Sequence, residues 1–99
     1  MQATTDTIRL ESIAMDTDRT RKMRVLIVED DAGIAAGLAA TLKGAGYAMD
    51  VTPTLALASA ALRVESFDMV LLDLNLPDGD GLDWLRQLRQ TGAAMPVLI

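Results

Sequence analysis

The stretch Met69 to Leu82, MVLLDLNLPDGDGL, limits the fold more than any other part of the chain. Four apolar residues, Met69 to Leu72, end in one carboxylate, Asp73, and then Pro77, Asp78, Gly79, Asp80 and Gly81 follow as turn formers. A short apolar run closed by turn residues reads as a strand buried on both faces, as in parallel sheets. Asp73 then stands at the carboxyl end of a strand, the rim at which open α/β sheets keep their ligands. A second run of the same kind, Val25-Leu26-Ile27-Val28, ends in Glu29, Asp30 and Asp31.

Helical patterns separate the strand candidates. Ile34, Leu38 and Leu42 recur at i, i+4 and i+8, which predicts a helix with one apolar stripe. Asp31 is placed to cap its first amides, and Gly44 or Gly46 to end it. Tyr47 to Val51 is a short strand candidate stopped by Pro53. Thr54 to Glu65 predicts a second helix with Leu55, Ala58 and Leu62 on its stripe. The loop 74–80 leads into a third helix from about Gly81 to Thr91, with Leu82, Leu85 and Leu88 on one side, Asp80 as N-cap and Gly92 as its end. Pro96-Val97-Leu98-Ile99 is a last buried-type run. The order β-α-β-α-β-α-β implies right-handed crossovers, a parallel sheet and helices on both faces: a doubly wound α/β fold.

Composition removes whole classes of chemistry. The 99 residues suit one domain at most. Hydrophobic content is 51%, with one Trp, one Tyr and one Phe, so the core must be aliphatic. With no Cys and no His, disulfides, thiol nucleophiles, the usual zinc sites and Ser-His-Asp triads are excluded. The net charge is −5, and residues 1–22 sum to zero, so the whole excess lies in 23–99. An acidic surface argues against nucleic acid as a direct partner. No apolar run approaches the ~18 residues of a membrane span, and the N-terminus lacks the basic-then-apolar order of a secretory signal. The expectation is a cytoplasmic chain with a flexible extension over 1–22 and a domain over 23–99.

The acids at the two strand ends are the candidate site. If the two strands are neighbours, their ends lie about 4.8 Å apart and the carboxylates converge at one rim. Crowded carboxylates repel, which raises pKa values until a cation is present. Hard oxygen ligands with room for water suit Mg²⁺, and a carboxylate beside Mg²⁺ can attack phosphorus to give an aspartyl phosphate. A calcium loop starting at Asp73 fails, because Asp78 falls where Gly is required and Trp84 where Glu is required. Gly44-Ala45-Gly46 follows a helix, so it is no dinucleotide loop. Asp31, Asp78, Asp80 and Asp83 read most simply as turn and cap residues, and Trp84 as a partly buried helix residue.

VLIVEDD followed by LLDLNLPDGDGL resembles the response-regulator receiver domain of two-component signalling, over roughly Met23 to Ile99. The resemblance implies a flavodoxin-like receiver fold with strand order 2-1-3-4 and three helices, incomplete beyond the fourth strand. It implies Asp73 as phosphoacceptor and Asp30 as a Mg²⁺ ligand, with Glu29 binding the metal directly or through water. Asn75 would offer its backbone carbonyl to the metal, and Pro77 and Gly81 would shape the loop. A sensor histidine kinase is the implied partner, and the chain, lacking His, is the receiver in such a relay. Glu at position 29 resembles regulators with a winged-helix (OmpR/PhoB-type) output domain.

The chain departs from the family pattern at its end. In the family a Ser or Thr follows the fourth strand, a fifth strand ends in a Lys, and helices four and five complete the fold. Ile99 precedes all of these, and Lys22 and Lys43 stand at the wrong places to substitute. The expectations are an exposed edge at the fourth strand, open apolar surface near the first helix, and marginal stability or self-association. Three functions follow for comparison. The first is a phosphoacceptor module that is not an enzyme. The second is an interaction or structural fragment that never takes phosphate. The third, a Mg²⁺-dependent phosphatase, is disfavoured because Asn75 leaves no second carboxylate there for acid/base work.

Overall fold

The computed structural model describes residues 22–99. Apart from Lys22, the extension expected over 1–22 lies outside the described residues.

Four strands form the main sheet: β1 (Arg24–Val28), β2 (Ala48–Thr52), β3 (Met69–Leu72) and β6 (Val97–Leu98). They run parallel in the order β2-β1-β3-β6, the expected 2-1-3-4. Strands β4 (Asn75–Leu76) and β5 (Gly79–Asp80) make a separate two-stranded antiparallel hairpin inside the loop after β3. The periodicities did not foretell that hairpin, because two-residue strands leave no alternation to read.

Helix α1 (Ala32–Gly44) packs on β1 and β2. Its start is set by Asp31, whose Oδ1 accepts the Ile34 amide at 3.0 Å. Its end comes at Gly46, whose φ of 95° a side chain would strain. Helices α2 (Leu55–Val64) and α3 (Gly81–Gln90) cover the opposite face. There Leu26, Val28, Val70 and Leu72 from the sheet meet Leu55 and Ala58 of α2, Phe67, Leu76 and Trp84 in one core. Side chains alternate along a strand, so Val25 and Ile27 point the other way, toward α1, and are also fully buried. Burying each such aliphatic side chain contributes about 1.5–3 kcal/mol.

Two helix stripes differ from the sequence reading. On α1, Ile34 is 53% and Leu38 36% exposed, and Ala35 is the buried residue instead. Ala32, Ala35, Ala36, Ala39, Ala40, Gly33 and Gly37 make this helix small on every side, so the spacing of three large residues does not decide which face packs. On α3 the stripe runs Gly81-Trp84-Leu85-Leu88, and Leu82 is exposed. Trp84 is buried, and its indole N–H donates to Ser59 Oγ of α2 at 2.8 Å, which locks the two helices together.

Three of the amides left free at the N-terminus of α2 are satisfied by side chains. Thr54 Oγ1 accepts from Leu57, and the Thr54 carbonyl accepts the first helical bond from Ala58. The other two come from across the fold: Asp78 Oδ1 accepts the Leu55 amide at 2.9 Å and Oδ2 the Ala56 amide at 3.0 Å. The Leu55 and Ala56 amides hold the Asp78 carboxyl below the usual aspartate range. Its stabilising effect is therefore present above an ordinary aspartate pKa of about 3.9 and is lost as pH falls through the lowered value. Asp78→Asn should lower the denaturation midpoint at pH 7, and the deficit should shrink on going to pH 3. Urea titrations at both pH values check this; an equal deficit at both would contradict it.

No helix among the described residues is long and apolar enough to cross a membrane. The outer edge of β6 has no strand partner among the described residues. Leu98 and Ile99 are 54% and 68% exposed there, and with Leu38 they line one cleft.

Candidate metal and phosphoacceptor site

Neighbouring parallel strands bring the acids together. In the β1–β3 register Val28 lies beside Leu72, so Glu29 and Asp73 emerge at the same rim. The backbone continues the ladder one step further: the Asp73 amide donates to the Val28 carbonyl at 3.0 Å, and the Glu29 amide to the Thr52 carbonyl of β2 at 3.0 Å. Each acid thus starts from a backbone held by the sheet. Glu29 and Asp73 are half-buried and Asp30 is exposed, and one carboxylate oxygen from each lies within 4.8 Å of the others.

The three expected carboxylates therefore meet, as the strand-end reading required. Asp31 turns away to cap α1, again as expected. Its amide donates to Glu29 Oε2 at 3.2 Å, which orients that carboxyl. Asn75 lies on β4, and its amide donates to Asp73 Oδ1 at 3.1 Å. The loop that carries the Asn75 carbonyl is thereby tied to the Asp73 carboxylate. Glu29 titrates above the usual carboxylate range. Desolvation by burial is the largest cause, followed by its hydrogen bond to Asp73 and the charges of Asp73 and Asp30; the Asp31 amide pulls the other way.

Gly81 sets how closely α3 approaches this rim. A Cβ there would lie 3.0 Å from Leu74 Cδ2, 3.1 Å from Leu74 Cα and 3.4 Å from the Asp73 carbonyl oxygen. Leu74 Cα is backbone and cannot readily step aside, so glycine suits the close start of α3 against the Asp73–Leu74 backbone. A cleft of about 490 Å³ opens beside the acids, lined by Glu29, Asp73 and Asn75 together with Leu38, Leu98 and Ile99.

The donor set fits a hard divalent cation. Mg²⁺ takes oxygens at about 2.1 Å, so ligands on an octahedron are about 3.0 Å apart when adjacent and about 4.2 Å when opposite. The carboxylate oxygens, within 4.8 Å of one another, would draw in by at most about 2 Å to reach such positions. Burial first, and then the neighbouring Asp73 and Asp30 charges, disfavour the ionised Glu29 carboxylate, a penalty that a bound cation would offset.

Comparison with known proteins agrees. The chain is 47% identical over 77 residues to the probable transcriptional regulatory protein y4xI of Sinorhizobium fredii, a match covering 78% of this chain and 33% of that protein. It is 43% identical over 77 residues to the transcriptional regulatory protein BasR of Escherichia coli, covering 78% and 35%. The chain thus spans about a third of the length of these curated relatives. Among solved structures it is similar to the MaeR response regulator bound to beryllium trifluoride, with a TM-score of 0.74 and 36% identity over 78% of this chain and 66% of that one. The model of the response regulator receiver domain matches residues 25–99. With two acid-tipped parallel strands side by side in the order β2-β1-β3-β6, the chain belongs to the response regulator receiver domain family.

Proposed function

We propose that this chain is the phosphoacceptor module of a two-component response regulator, taking a phosphoryl group on Asp73 from a sensor histidine kinase. The observation that carries this reading is the meeting of Glu29, Asp30 and Asp73 within 4.8 Å at the carboxyl rim of β1 and β3. Glu29, Asp30, Asp73 and the Asn75 carbonyl would hold Mg²⁺. Bound there, the cation supplies charge neutralisation for the phosphoryl oxygens during transfer. Asp73 is the nucleophile: its carboxylate oxygen forms the O–P bond as the P–N bond to the kinase imidazole breaks. The imidazole leaves with the bonding pair and takes up a proton. The Asn75 amide, at 3.1 Å from Asp73 Oδ1, fixes one oxygen of that carboxyl and so orients the group.

The chain accepts a group and does not turn over a substrate, and it works in the cytoplasm as the receiver of a transcriptional regulator. The beryllium trifluoride in the MaeR structure, an anion of phosphoryl shape, supports this reading by similarity. The open edge of β6 and the exposed Leu98 and Ile99 favour self-association of the 99-residue chain. Sedimentation at tens of micromolar should therefore find dimers or larger species, and a stable monomer would count against that.

The test of the main reading is the intact mass of the chain after incubation with a small phosphodonor and Mg²⁺, beside an Asp73→Asn control. A Mg²⁺-dependent phosphoryl adduct in the wild type and none in the control is the expected result. No adduct on a chain shown to be folded would favour a fragment that binds partners without taking phosphate.

A further inference from the structure

We infer that Asp78 is a positioning residue for the metal site, although it lies on the far side of the loop and touches none of the three acids. The inference rests on the Mg²⁺ reading of Glu29, Asp30 and Asp73 and adds to it how the loop that completes the site is held.

The argument follows the loop from Asp73. Asn75 is bound at one end to Asp73 Oδ1 through its amide and paired with Asp80 across the hairpin. The next residue, Leu76, is buried in the core and paired with Gly79. The turn between them carries Asp78, whose two carboxylate oxygens take the Leu55 and Ala56 amides of α2. Gly79 packs so closely on Leu55 that a Cβ would lie 3.2 Å from its Cδ1. The hairpin therefore has one apolar anchor, Leu76, and one polar clamp, Asp78, and the clamp grips a helix end that is itself fixed on the core through Leu55 and Ala58.

A two-stranded hairpin is only marginally stable by itself. Without the clamp, the backbone at Asn75 depends on the Leu76 side chain, two pairs of strand residues and the Asn75 amide's bond to Asp73. Mg²⁺ demands near-ideal octahedral geometry, so a carbonyl on a loosened hairpin is a poorer ligand. Groups that orient metal ligands from outside typically change affinity by about 10–100-fold when removed.

The experiment compares Mg²⁺ affinity by calorimetry, and amide hydrogen exchange at Asn75, in wild type, Asp78→Ala, Asp78→Asn and Thr54→Ala. Thr54→Ala removes the other cap of the same helix end but leaves the hairpin untouched, so it controls for loss of helix capping alone. Each variant is measured at a temperature where circular dichroism shows it folded. Asp78→Ala should weaken Mg²⁺ binding about tenfold and speed exchange at Asn75 without metal. Asp78→Asn, which keeps one acceptor oxygen, should fall between, and Thr54→Ala should match the wild type in both. Equal Mg²⁺ affinity in wild type and Asp78→Ala would overturn this inference alone, as would equal losses in Asp78→Ala and Thr54→Ala. A wild-type chain that binds no Mg²⁺ would overturn the metal-site reading and this inference with it.

Discussion

Asp30→Asn is expected to weaken Mg²⁺ binding at least about tenfold and, in the absence of metal, to stabilise the fold slightly, by less than about 1 kcal/mol. The two effects have one origin. Three carboxylates whose oxygens lie within 4.8 Å repel pairwise by about 1 kcal/mol per pair in a water-like dielectric and more where solvent is excluded. Asp30 is exposed, so solvent and salt screening cut its two pairs to a fraction of that figure. Glu29 already reports this repulsion together with its burial, since its carboxyl holds a proton to higher pH than usual. A glutamate raised in this way costs the fold nothing below the ordinary glutamate pKa, and its full penalty is present above the raised value. At pH 7 the metal-free site is thus a strained one, and removing a charge relieves it. Calorimetric Mg²⁺ titration and metal-free urea denaturation at pH 7 check the pair of effects. A variant that loses both metal affinity and metal-free stability would show that Asp30 is held by contacts rather than by its charge.

Leu26→Ala should have the largest effect on stability, about 2–5 kcal/mol. Leu26 is completely buried in the central strand of the sheet, in the core shared by α2 and α3. Small domains are stable by only about 5–15 kcal/mol, so this one truncation brings the chain close to unfolding at physiological temperature. Ile34→Ala removes the same three carbons but from a side chain that is 53% exposed, and should cost less than about 1 kcal/mol. Thermal or urea denaturation of the two variants side by side gives the answer. Equal losses would mean that Ile34 is covered in solution, for example by a second copy of the chain at the open face.

That contrast also divides what is written in the chain from what is not. The sequence by itself determined the parallel sheet, the order of its main strands and helices, and the rim where the acids meet. Continuous apolar runs such as Val25–Val28 and Met69–Leu72 suit strands buried on both faces. Asp31, Thr54 and Asp80 stand directly before helical patterns, and all three accept backbone amides there. These signals are local, carried by neighbours a few residues apart. The site was legible for the same reason: Glu29, Asp30 and Asp73 sit at strand ends, and parallel pairing of β1 with β3 leaves them nowhere else to meet.

Only the tertiary structure decided which helix face is buried where size gives no lead. In α1 small residues on all sides let Ala35 pack while Ile34 stays out. In α3 the buried stripe passes through Trp84 because its indole finds Ser59 on the neighbouring helix, and Leu82 is left to solvent. The β4–β5 hairpin and the clamp from Asp78 to α2 are of the same kind. Asp78 read as a turn or cap residue, but the helix it caps begins 23 residues earlier. A hydrogen bond between segments that distant depends on where the sheet carries them, and no spacing along the chain encodes it.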